Sequence, residues 1–144
     1  MIRIAEALLR DANRAGPTGR YQLEAAIQSA HAARRRLNAP TWPAIVKLYD
    51  HLLALTNSPV VALNRAVALA EVHGPAAALT TLNLLADDRR MADYQPYWAA
   101  RGHLFALAGD KDQAHTAFTM AIGLSTDDAV RTYLRGKLQA LQDG

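Results

Sequence analysis

The stretch Ser58 to Ala70, SPVVALNRAVALA, constrains the fold more than any other part of the chain. Ser58 is a residue type that caps helix N-termini. Pro59 suits the first helical position, where its missing N–H would be unpaired in any case. From there Val60, Val61, Ala62, Leu63, Ala66, Val67, Ala68, Leu69 and Ala70 are apolar, and only Asn64 and Arg65 interrupt them before Glu71. A helix apolar nearly all round has to be covered on most of its sides. The pattern predicts a central helix with its sequence neighbours as cover.

Those neighbours read as helices too. Ile4, Ala5, Leu8 and Leu9 share one face of a helix over Ile2–Arg14, closed by Gly16-Pro17-Thr18-Gly19. Leu23, Ala26, Ile27, Ala30 and Ala33 or Arg34 mark a helix from Tyr21 to Leu37 whose end is basic, where positive charge complements the helix dipole. Asn38-Ala39-Pro40 is a turn, and Thr41 caps a helix to Leu55 with Ile45, Leu48, Tyr49, Leu52 and Leu53 as its buried stripe. After the central helix, His73-Gly74-Pro75 is a break before a helix over Ala76–Ala86. Asp87-Asp88-Arg89-Arg90 reads as a solvated loop. Further helices are expected over Pro96–Ala108, from the cap Asp110 to Leu124, and from Ser125-Thr126-Asp127 to near Leu141. No stretch alternates as a strand does. Hydrophobic residues make up 51% of the 144 but aromatic ones only 6%, so Ala and Leu carry the core, which favours close-packed helices. The expectation is one all-α domain over residues 1–144, of about eight helices.

The helices contain a repeat. Trp98, Gly102, Phe105, Gly109, Ala114, Phe118 and Ala121 fall at the spacings of a tetratricopeptide repeat, whose period is about 34 residues. Gly102 and Ala114 are small where two antiparallel helices would cross closely, Phe105 and Phe118 fill the space around them, and Gly109 makes the turn. Thirty-six positions earlier stand Ala62, Ala66, Leu69, His73, Ala78, Leu82 and Leu85, which keep the size pattern. One step of 34 further back gives a weaker match at Ala32, Ala44, Leu48 and His51. The best-matched part is 41–144, with 96–126 the clearest repeat. Stacked antiparallel hairpins of this kind would form a right-handed superhelical array.

Chemistry is harder to find. With no cysteine, disulfides and thiolate sites are excluded. Phosphate-loop, dinucleotide, zinc-protease and nucleophile-elbow motifs are missing. His31, His51, His73, His103 and His115 form no i, i+4 metal pair, and His51 beside Asp50 points to a different side of its helix. No catalytic residue, cofactor or metal is expected. A net charge of +3 does not mark a nucleic-acid binder, and the apolar runs are too short to span a membrane. The N-terminal stretch MIRIAEALLRD, with Glu6 in its apolar stripe, is not expected to be a signal peptide.

Two features could carry binding. Arg34, Arg35 and Arg36 form either a solvated helix end or a contact for DNA phosphates or an acidic protein face. Val60, Leu63 and Val67 line one side of the central helix, and Ala99, His103 and Ala106 would continue that line on a later helix. This apolar surface is either filled by the protein's own first helices or meant for a partner helix or a second copy. Asn64 is expected to bond neighbouring backbone, and Arg65 to pair with Glu71 or another acid while burying its stem. A small-molecule pocket near Tyr21, His31 and Trp42 is a further option.

GRYQLEAAIQSAH (Gly19 to His31), TWPAIVKLYDHLL (Thr41 to Leu53), SPVVALNRAVALAEVHGP (Ser58 to Pro75) and AARGHLFALAGDKDQAHTAF resemble the C-terminal extension of a group of bacterial extracytoplasmic-function (ECF) sigma factors. The resemblance covers almost the whole chain, and NRAVALAEVHGP is its most specific part. Arg20 stands where the family usually has proline. The resemblance implies a TPR-like, non-catalytic, cytoplasmic module that tunes transcription initiation through sigma domains or RNA polymerase. Any contact with DNA would be indirect, through those domains. The family's promoter-binding sigma regions would lie upstream, so the chain is expected to be a fragment or a separately encoded remnant.

Overall fold

The structure, a computed structural model, describes residues 17–37 and 42–143, and the side chains of 19–35 and 42–143 among them. The expected helix over Ile2–Arg14, the turn at Asn38-Ala39-Pro40 and the Thr41 cap lie outside the described residues. Eight helices make up the described part: α1 (Pro17–Leu37), α2 (Trp42–Thr56), α3 (Pro59–His73), α4 (Pro75–Asn83), α5 (Arg89–Ala92), α6 (Gln95–Leu107), α7 (Lys111–Leu124) and α8 (Asp128–Asp143). The described residues hold no strand. The protein is all-α. Contacts divide it into two compact units, Met1–Val72 and His73–Gly144. The division falls beside Gly74, whose φ of 90° takes it out of helical geometry just before Pro75.

In the first unit, Leu23, Ala26, Ile27 and Ala30 of α1 pack on Ile45, Leu48 and Leu52 of α2, and Ala68 of α3 joins them. Trp42, Val46, Tyr49 and Val61 pack around that cluster. Helix α1 starts at Pro17, four residues before the expected Tyr21, because proline's fixed φ already suits a first turn. Between α2 and α3, Asn57 takes a left-handed φ of 48° and lets the chain turn. The Ser58 hydroxyl then accepts from the Val61 N–H at 3.4 Å, and its carbonyl accepts from the Ala62 N–H at 3.0 Å. The central helix is therefore capped where its sequence says it should be.

In the second unit, α6 and α7 form a hairpin closed by Gly109 at φ 85°. Asp110 caps α7 by accepting from the Gln113 N–H at 3.1 Å. Asp127 caps α8 by accepting from the Ala129 and Val130 N–H groups at 2.8 and 3.2 Å. Ala114, Phe118 and Ala121 of α7 and Leu134 of α8 are the core, with Trp98 and Phe105 of α6 packed against it. A Cβ on Gly102 would stand 2.7 Å from the Phe118 ring, so the ring occupies the space that glycine leaves open. Asp87–Arg90, expected to be a solvated loop, is largely exposed but runs into the short helix α5 at Arg89. The Asp88 carboxylate accepts from the Arg90 N–H at 2.9 Å and caps α5, whose Met91 is buried. The Trp98 indole donates to the Ala92 carbonyl at 2.8 Å and fastens this turn to α6.

Candidate functional site

Helix α3 leaves one stripe open. Val60, Asn64 and Glu71 are exposed and Val67 is half-buried, and their spacing of i, i+4, i+7 and i+11 puts them on one face. Leu63, by contrast, is only 2% exposed, so it is a core residue and not open to a partner. Val61 and Ala68 face the α1–α2 cluster, and Leu63 and Ala66 are buried about half a turn round the helix from Val61. Arg65 leaves the stripe too. Its guanidinium donates to the Asp50 carboxylate of α2, and that pair, not one with Glu71, fixes its direction.

An open cleft of about 410 Å³ lies at the N-terminal end of the stripe, between α1, α2 and α3. Ile27, Leu52, Val60 and Val61 give it apolar walls, and Gln28, Tyr49, Ser58 and Asn64 bring polar groups. At its edge Arg20 and Glu24 pair along α1 at 3.0 Å. Asn64 is exposed beside this cleft, where its side chain is open to solvent.

The basic end of α1 meets an aromatic group. The Arg34 guanidinium lies over the Trp42 indole, 4.5 Å from the ring centre. The His31 ring meets the same indole edge-on at 5.5 Å and the Tyr49 ring at 6.4 Å. Trp42 and Tyr49 share a face of α2 at i, i+7, a spacing that could have shown the cluster in the sequence. Tyr21, expected near His31 and Trp42, is 70% exposed, and Tyr49 takes its place. Burial lowers the His31 pKa from its usual value, and the charges of Arg35 and then Arg34 lower it further. Burial also raises the Tyr49 phenol. Arg35 is exposed, and the Arg36 side chain lies outside the described residues.

The later part of the expected apolar line is used internally. Ala99 and Ala106 of α6 pack against the core formed with α7 and α8, because the close α6–α7 crossing needs small residues there. His103 is half-buried on α6 and engaged in interactions of its own. Val60, Leu63 and Val67 belong to the first unit and these three residues to the second. Among the described residues no three His, Asp or Glu side chains gather where they could hold a metal ion, and no helix is long and apolar enough to cross a membrane.

An uncharacterised protein of Rhizobium meliloti is 40% identical to the chain over 141 residues, covering 98% of the chain and 33% of that protein. The chain thus spans about a third of the length of this curated relative. No protein-family model matches the chain. No solved structure matches it either.

Proposed function

We propose that the chain is a TPR-like, non-catalytic interaction module of an ECF-type sigma factor. In this reading it tunes transcription initiation in the bacterial cytoplasm by contacting the promoter-binding sigma domains or RNA polymerase. The observation that carries the TPR-like part is the α6–α7 hairpin. Gly102 stands against the Phe118 ring, Ala114 is buried beside it, and Gly109 turns the chain, each at the position the repeat spacing assigns. Hairpins built this way stack into right-handed superhelical arrays that present surface to other proteins. Support for a module of something larger comes from the relative, of whose own length the matching stretch makes up only a third. The sigma-factor part rests on the sequence resemblance.

The open stripe of α3 is the proposed contact surface, with Val60, Asn64 and Val67 as its residues. The test mixes the purified chain with separately expressed promoter-binding domains of an ECF sigma factor and with core RNA polymerase. Co-elution in size exclusion and a changed run-off transcript yield are the expected results. Val60→Asp combined with Asn64→Asp should abolish both without loss of helix content, since both side chains are open to solvent. Absence of binding to either component refutes the reading. The cleft beside Val60 favours a second reading, a sensor of a small amphipathic molecule, since its volume suits such a ligand. A ligand-dependent rise in melting temperature without protein binding would select it.

A further inference from the structure

We infer that His31 and Arg34 of α1, gathered at the Trp42 indole of α2, and Arg35 beside them on α1 form a proton-linked seat for a carboxylate on an acidic segment of a protein partner. The three residues stand at i, i+3 and i+4 and so share one face of α1. Both the imidazole and the Arg34 guanidinium lie within 5.5 Å of the Trp42 ring centre. Stacking on the indole holds the guanidinium fork before any ligand arrives, so less side-chain freedom is lost on binding.

Charge accounting makes the site one-sided. Helix α1 carries one acid, Glu24, and helix α2 carries one, Asp50. Arg20 holds the first and Arg65 the second. Among the described residues neither Arg34 nor Arg35 is paired with an acid. Among the described residues the buried Arg34 Nε finds no acceptor. Among the described residues the charged groups that act on His31 are Arg35 and Arg34. From α2 it meets Tyr49, whose phenol burial keeps neutral across the ordinary pH range.

A carboxylate placed here would reverse the local field. Arg34 and Arg35 alone disfavour the protonated imidazole, whereas a bound carboxylate favours it and makes it a third donor. Binding and proton uptake are therefore coupled, and affinity rises as pH falls. A carboxylate suits the site better than a nucleic-acid backbone does. Polyanion binding spreads over many phosphates, and with Arg20 and Arg65 already taken the described part of this unit has few cations left for them. The chemistry holds whichever longer protein carries the module, so it can fail without the sigma-factor reading failing.

The test uses the full chain and acetyl-tetraglutamyl amide as probe, with NMR of the His31 imidazole and the Trp42 indole at about pH 6 and about pH 7.5. Saturable shifts of both signals are expected, with His31 titrating higher in the bound state and affinity about threefold or more tighter at the lower pH. His31→Gln should keep binding and lose its pH dependence. Arg34→Gln should abolish binding at both pH values. Arg34→Lys, which keeps the charge but not the planar fork, should weaken it with helix content unchanged. Non-saturable shifts, equal wild-type affinity at the two pH values, or wild-type binding by Arg34→Lys would each overturn the inference. Tighter binding of a short oligothymidylate at the same signals would overturn it in favour of nucleic acid.

Discussion

His31 shows how far a single residue's behaviour depends on what the fold sets beside it. In the sequence it is one histidine among five, on a helix face shared with Ile27 and Ala30. In the structure its ring touches Trp42 and Tyr49, and burial together with Arg35 and Arg34 pushes its pKa below the usual 6.5. In the pH range between the lowered value and 6.5 the unfolded chain binds a proton that the folded chain refuses. Stability should therefore be fully present above about pH 6.5 and be lost as pH falls through the folded pKa. Urea unfolding followed across that range should give a falling midpoint toward acid, and His31→Gln should flatten this part of the profile. Arg65 teaches the complementary lesson. Its partner is Asp50 on a neighbouring helix, and because both side chains are partly exposed the pair adds only about 0–1 kcal/mol.

At the scale of elements, the α6–α7 hairpin is fastened by a glycine facing a ring. Neither residue explains the other in isolation, since Gly102 costs helix stability unless something needs the space it leaves. The Phe118 ring needs it, at 2.7 Å from where a Cβ would stand. Gly102→Ala is expected to destabilise the protein by about 1–3 kcal/mol, measured by chemical unfolding. Adding Phe118→Leu should cost less than the two single changes together, because the smaller side chain vacates the contested space. The helix ends follow simpler rules. Asp88, Asp110 and Asp127 each turn a carboxylate back on the first free N–H groups, and each marks the start of α5, α7 or α8.

Across the whole molecule, each unit holds its own core and its own tryptophan. Trp42 lies in the first unit, against the cluster of Leu23, Ile45 and Leu48, and Trp98 in the second, against that of Phe118 and Leu134. Leu134 is 1% exposed, and removing its side chain leaves a cavity in the second core. Leu134→Ala should cost about 2–5 kcal/mol there. The expected signature is a lower unfolding midpoint from Trp98 fluorescence in a Trp42→Phe background, with a smaller change from Trp42 in a Trp98→Phe background. Equal shifts in both would mean that the two units unfold as one.

The sequence by itself determined the helices of the described part other than α5, most of their ends, and the hairpin in which Gly102 meets Phe118. These follow from local rules: apolar residues at helical spacing, caps that bond N–H groups within three positions, and a size pattern repeated along the chain. The same local rules misplaced the start of α1 and read α5 as loop, because a one-turn helix depends on burying Met91 more than on periodicity. Tertiary packing alone decided which side of α3 stays open. The sequence offers Val60, Leu63 and Val67 alike, and only the fold buries Leu63 and leaves Val60 and Asn64 at a cleft. It also decided which described acids are left for the basic end of α1. Whether an arginine is neutralised depends on which acid lies within about 4 Å in space: Arg20 takes Glu24 by its i, i+4 spacing along α1, but only packing brings Asp50 of α2 to Arg65 of α3.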